Sequence, residues 1–348
     1  MLAEVTMHIR PLWTVLISSL MCSNALALEG TLLVSNRSGG SISFIDLATG
    51  AELARVPIGP VIPHEVAVSP DGRRALTAEY GPDRRRGRHV ILMDVPSATI
   101  TGRIDLGPNS RPHTALFLPD GHRGVATMQD SDQLALLDLT SLRVVRTYPT
   151  GGREGHMVRL SPDGSRAYVT SRGAEGTLSV IFLDEERPPV VIETGPGAEG
   201  LAVTPDGSEV WVANRDVESI SIIDAQSLKV AETIGSRPHA GRIAMGPNGR
   251  AIVPNGTSGV AVPQYLRVFD VASRQIRAEV PLRDGQPQAG NFGVLIVDGT
   301  AFASDPHRGT VQMFDLTDPS EREVLLEHHE APDGMAWTPV RLDVMTRP

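Results

Sequence analysis

The chain has 348 residues, enough for two average domains, although a repeat architecture can use all of it in one closed unit. Its 41 acidic against 32 basic residues give a net charge of -9, which argues against a general nucleic-acid or anionic-membrane binder, since both need clustered positive charge. The single cysteine, Cys22, excludes a disulfide framework, so stability must come from the core.

The N-terminus has the form of a secretory signal. Arg10 precedes an apolar run from Leu12 to Met21, and Ala25-Leu26-Ala27 has the small-x-small pattern of a cleavage site. Residues 1–27 are therefore expected to be removed, leaving 28–348 as one domain in the periplasm or outside the cell; Met7 is an alternative start to Met1. The apolar run is too short to span a membrane, and no later segment reaches the roughly 18 apolar residues needed.

From Thr31 onward the chain repeats. Aligned on Pro-Asp-Gly, the copies are His64 to Gly72, His113 to Gly121, His156 to Gly164 and Glu199 to Gly207, with looser copies at Gly241 to Gly249, Asn291 to Gly299 and Asp333 to Pro339. A spacing of 43 residues separates His113 from His156 and again His156 from Glu199, which suits a four-stranded propeller blade. Within each period, one short β-branched and aliphatic run leads into the Asp-Gly turn, where glycine accepts positive φ without a Cβ clash. A second run follows at once, as in Val210-Trp-Val-Ala-Asn214. A third ends in Asp, as in Ser219 to Asp224, and a fourth, such as Val230 to Ile234, carries the polar residues of a half-exposed edge. Tyr80 to His89 and Gly256 to Gln264 are insertions in the second and sixth periods.

Seven copies of the first run predict an all-β, seven-bladed β-propeller. The chain opens with runs two, three and four (from Thr31, Ser41 and Glu52) and closes with a lone run one, Gly334 to Pro339. The C-terminal strand is thus expected to complete the N-terminal blade and remove two free edges.

Val210-Trp-Val-Ala-Asn-Arg215 with Ser219-Ile-Ser-Ile-Ile-Asp224, and Leu32-Leu-Val-Ser-Asn36 with Ile42-Ser-Phe-Ile-Asp46, resemble the Tyr-Val-Thr-Asn repeat propellers, the YncE-like group of exported bacterial proteins. The resemblance covers about Thr31 to Pro339 and implies the fold; members serve as binding scaffolds, surface proteins and components of redox systems. The seven-bladed lactonase group is a more distant likeness, through Pro63-His64 and Arg111-Pro-His113. Met128, Ser171 and Asp305 stand where the repeat motif has Asn.

In a propeller the first run lines the axis, so the alignment stacks His64, His113, His156, Glu199, Gly241, Asn291 and Asp333 around one channel mouth. The ends of the second runs add Glu79, Asn214 and Asn255, and Arg172 and Arg242 lie close by. His64, His113, His156 and Glu199 form a candidate ligand set for zinc, copper or iron. Polar residues gathered at a wet mouth and satisfied by water are the plainer reading. Three uses of the mouth follow: binding of a small polar ligand or protein partner, metal-dependent hydrolase or lyase chemistry, and lactonase-like hydrolysis with His64 or His156 as base and a Glu or Arg pair from Glu79, Arg172 and Arg242. The basic run Arg84-Arg-Arg-Gly-Arg88 reads as a solvated loop or an anion grip. Trp211 and Trp337 read as packing residues, and a monomer is expected. No C-x-x-C-H, P-loop, G-x-G-x-x-G before a helix or G-x-S-x-G elbow is present.

Overall fold

The structure is a computed structural model. It describes residues 28–81, 85–237, 239–256, 262–282, 287–288, 293–319, 322–327 and 330–343. The expected leader with Cys22, and the candidates Asn291 and Arg84, lie outside the described residues.

Seven four-stranded antiparallel sheets are arranged as blades. Blade four shows the plan: an inner strand Gly155–Leu160, then Arg166–Ser171, Thr177–Phe182 and an outer Val190–Glu193. The turn after the inner strand is built as its sequence predicts. Gly72, Gly121, Gly164 and Gly207 have φ of 72°, 69°, 72° and 74°, which side chains with a Cβ resist. The Asp before the glycine is held by the residue two positions earlier: Ser161 Oγ donates to Asp163 at 2.5 Å and Thr204 Oγ1 to Asp206 at 2.6 Å. At the end of the third strand, Asp46, Asp138, Asp224 and Asp270 accept backbone N–H groups of the following turn.

The ring closes in blade one, where Pro332–Thr338 pairs antiparallel with Thr31–Asn36 in the register Thr31↔Thr338 to Val34↔Met335. The order of that sheet, from outer to inner strand, is Glu52–Pro57, Ser41–Asp46, Thr31–Asn36, Pro332–Thr338. Each end of the chain therefore satisfies the other's open edge, which neither strand could leave exposed without offering a pairing template.

The core lies between blades. The second and third strands are buried almost throughout, as in Leu76, Val90 and Leu92 of blade two, which pack against Ala126, Ala135 and Leu137 of blade three. Outer strands alternate exposed and half-buried residues, as along Thr99–Asp105. Trp211 is fully buried against Phe269; Trp337 is half-buried and its indole N–H donates to the Glu29 carbonyl at 3.0 Å. Both serve packing, as their place in strands predicts.

Two irregularities sit where the repeat is loosest. The inner strand of blade six is reduced to Ala244–Met245, plus a bridge from Ala240 to Asn255. The blade-six insertion also forms a two-residue ribbon, Val262–Pro263 with Pro287–Gln288, that the sequence pattern does not announce. Among the described residues no helix is long and apolar enough to cross a membrane.

Candidate functional site

The repeat fixes the mouth residues through their backbones first. The Thr or Ser one position before the end of the second strand donates to the carbonyl of the mouth residue in the next blade. These bonds are Ser35 Oγ to His64 at 2.8 Å, Thr127 Oγ1 to His156 at 2.9 Å, Thr170 Oγ1 to Glu199 at 2.6 Å and Ser304 Oγ to Asp333 at 2.8 Å. In these four blades one small hydroxyl locks neighbouring blades together and sets where the next mouth side chain starts.

From those starts three imidazoles form a row. The His64 and His113 rings lie 4.7 Å apart at 31°, and the His113 and His156 rings 3.8 Å apart at 39°. Tyr80, from the blade-two insertion, sets its edge against His64 and His113 at 4.6 and 5.0 Å, and Arg111 covers the Tyr80 ring at 4.2 Å. All three histidines are buried. Burial lowers each imidazole's pKa, the His156 one to about 4 and the His113 one well below its usual value with added repulsion from His156 and His64. At neutral pH the row is therefore uncharged. Gln129, from a short 3-10 turn at Gln129–Ser131, meets His156 Nδ1 at 3.1 Å, and Thr114 Oγ1 lies 3.2 Å from His113 Nδ1.

Around the row, charges alternate. Arg242 of blade six reaches across the axis: its guanidinium is 2.9 Å from Glu65 of blade two, 3.3 Å from Glu199 of blade five and 4.0 Å from Asp333 of blade one. Glu199 also contacts Arg215, and lies 3.8 Å from His156 Nε2 and 3.9 Å from Arg172. Asp333 lies 2.9 Å from His64 Nδ1 and 3.7 Å from Arg37. Burial alone would raise the pKa of Glu199 and Asp333, but His156, Arg242 and Arg215 hold the first below its ordinary value, and His64, Arg37 and Arg242 do the same for the second. Glu65 goes the other way: burial raises it more than Arg242 lowers it.

Many of these buried groups lack a well-aligned hydrogen-bond partner. They include His64 Nδ1, Glu65 Oε1, Arg172 Nε, Arg242 Nε and both carboxylate oxygens of Asp333. The 2.9 Å contact between His64 and Asp333 is therefore close but oblique, an electrostatic contact more than a hydrogen bond.

Of the candidates named from sequence, His64, His113, His156, Glu199, Arg172, Arg242 and Asp333 come together here. Glu79 turns outward along its own blade, 2.7 Å from His89 and 2.5 Å from Arg103. Asn214 donates within its blade to Ser219 and Ser221, both at 3.0 Å, and Asn255 closes a local loop through Pro263 and Tyr265. In the basic run, Arg86 meets Asp130 at 2.5 Å and Arg88 meets Asp105 at 2.7 Å. Sequence reasoning missed Glu65, Tyr80, Gln129, Arg37 and Arg215. The signal for Glu65 was present, since it follows a mouth histidine; Gln129 and Tyr80 come from turns that no repeat position marks.

A metal takes imidazole nitrogens at about 2.0–2.1 Å from converging directions. The three rings here face one another, each Nδ1 beside a different partner. Among the described residues no group of three or more His, Cys, Asp or Glu side chains is placed to hold a metal ion.

No curated protein matches the chain. Among solved structures it is similar to Kuenenia stuttgartiensis hydrazine synthase, at 20% identity over 73% of this chain and 76% of that chain with a TM-score of 0.63. It is also similar to a functionally unknown protein from Desulfotomaculum acetoxidans DSM 771, at 16% identity over 89% of this chain and 99% of that chain with a TM-score of 0.70. At these identities the likeness is one of fold alone. The model of the YNCE-like beta-propeller family matches residues 123–291, and the structure carries seven four-stranded blades, three of them wholly within that match.

Proposed function

We propose that this propeller is an exported binding protein whose channel mouth holds a small, hydroxylated organic anion. The observation that supports this reading is the convergence of buried donors and acceptors without aligned partners, at Asp333, His64, Arg172, Arg242 and Glu65. Leaving such groups unmatched costs about 1–3 kcal/mol each, and a ligand carrying both O–H and carboxylate groups answers both kinds. The sign follows from the fixed charges: the guanidiniums of Arg37, Arg172, Arg215 and Arg242 face the carboxyls of Glu65, Glu199 and Asp333, and burial pushes Glu65 toward its neutral form. The uncharged imidazole row and Tyr80 offer flat faces on which a sugar-like body can rest.

Calorimetric titration of the purified mature chain with gluconate, glucuronate and glucose tests the proposal. Binding of either acid, at least tenfold weaker in Arg172→Ala and in His113→Ala and absent for glucose, is the expected result. No binding of either acid at millimolar concentration sinks it. Metal analysis on the same preparations separates the alternatives: a stoichiometric metal lost with His113→Ala assigns His64, His113, His156 and Glu199 to an ion instead. Turnover of a sugar lactone lost with the same substitution makes the site an enzyme's.

A further inference from the structure

A second feature of the axis lies beyond the mouth. A cavity of about 330 Å³ runs along the channel, walled by inner-strand residues of the blades. About half of its wall is apolar, supplied by the half-buried Leu116, Leu160, Val203, Met245, Val294 and Ile296. On the same inner strands Val158 and Leu201 are buried completely, whereas the apolar side chains facing the cavity are left partly uncovered around a concave space.

Two charged residues interrupt the wall, Glu65 and Arg159. They differ in how they are matched. Glu65, next to His64, marks the end nearest the mouth, and its carboxylate is 2.9 Å from Arg242. Arg159 lies three residues further along its strand than His156, and its guanidinium makes one hydrogen bond, from Nη1 to the Val158 carbonyl at 3.0 Å. No ion pair is formed by Arg159 among the described residues. At the mouth, Arg242 and Arg215 each contact a carboxylate. A guanidinium stays charged in almost any surroundings; Glu65 attracts Arg159 only from beyond ion-pair distance, so a cation with no carboxylate in contact is an incomplete arrangement.

We infer that the axial cavity is a second ligand site, distinct from the mouth, that takes an unbranched aliphatic carboxylate, with the carboxylate paired to Arg159 and the hydrocarbon chain against Leu116, Leu160, Val203 and Met245. A bidentate Arg–carboxylate pair out of water is the strong form of that contact, and the chain covers the half-exposed aliphatic ring. Glu65 attracts Arg159 from beyond contact distance while its carboxyl lies 2.9 Å from Arg242, so the contact positions on Arg159 stay open to a ligand. Glu65 borders both sites, but Arg159 and the aliphatic wall are not among the mouth's unmatched groups.

Octanoate, octanol and acetate titrated calorimetrically into the mature chain test this, with folding of each variant checked by circular dichroism. Octanoate is expected to bind, octanol and acetate at least tenfold more weakly. Arg159→Met is expected to weaken octanoate at least tenfold, and Arg159→Lys, which keeps the charge, to recover most of the affinity. Absence of octanoate binding to the folded wild type at millimolar concentration overturns the inference. So does equal binding by folded Arg159→Met, or octanol binding as tightly as octanoate. Gluconate at saturation is expected to leave octanoate binding in place; full competition would mean one shared site and would overturn the claim of a second.

Discussion

At the scale of single residues, the mouth trades stability for a set of groups kept in one protonation state. The unfolded imidazole of His156 takes up a proton as pH falls through 6.5, whereas the folded one resists until about 4. The unfolded state therefore gains protons first, and stability present above pH 6.5 is lost as pH falls toward 4. From His156 alone the loss by pH 5 is on the order of 2 kcal/mol, and His64 and His113 act in the same direction. Urea unfolding at pH 7.5 and pH 5 reads this, and His156→Gln is expected to show a shallower decline; equal slopes would contradict the assignment. Arg242 is the other sensitive position. Its replacement by Met strands Glu65, Glu199 and Asp333 without their shared cation, and the expected destabilisation is about 3–5 kcal/mol. Arg242→Lys is expected to recover only part in the same unfolding assay, because a single ammonium cannot reach three carboxyls from one fork.

At the scale of the blade, the motif asparagine proves to be a structural brace. Asn36 donates to Ser41 and Ser43 at 3.1 and 2.8 Å, and Asn214 makes the matching pair of bonds to Ser219 and Ser221. Blade four has Ser171 at that position, opposite Thr177. There the hydroxyls of Ser171, Thr177 and Ser179 are all buried without a partner. Ser171→Asn restores the missing donor, so it is expected to stabilise the protein by about 1 kcal/mol. The close neighbour Gly152 resembles Gly195, which already lies beside Asn214. A rise in thermal midpoint checks the gain, and a fall would show that the one-residue-longer loop at Gly151 and Gly152 leaves no room for the amide.

At the scale of the whole molecule, closure by Pro332–Thr338 joins first blade to last. Ser35 Oγ contacts the carbonyls of both His64 and Gly334, and Thr338 Oγ1 donates to Gly72 of blade two, so the C-terminal strand ties three parts of the ring at once. Removing residues 332–348 exposes the whole edge of Thr31–Asn36 and deletes Asp333 from the mouth. The truncated chain is expected to unfold at lower temperature and to self-associate through that edge, as size-exclusion chromatography and a thermal scan would report. A truncated chain that stays monomeric with an unchanged midpoint would mean that closure contributes little.

The sequence by itself determined the ring. Pro-Asp-Gly turns, Asp-terminated third strands and a run one displaced to the C-terminus are local chemistry repeated at a fixed period, and local chemistry is legible one residue at a time. It also placed His64, His113, His156, Glu199 and Asp333 at one level, because equal positions in a repeat become equal heights on an axis. What only the tertiary structure decided is direction and partner. Glu79 and Asn214 share that height yet turn into their own blades, while Arg242 crosses the channel to join blades one, two and five. The same holds for Tyr80 and Gln129, brought to the histidine row by turns outside the repeat, and for Arg159, whose lack of a carboxylate in contact is a property of the space around it. Side-chain reach across a channel depends on which opposing charges lie within a few ångströms in three dimensions, and no spacing along the chain encodes that.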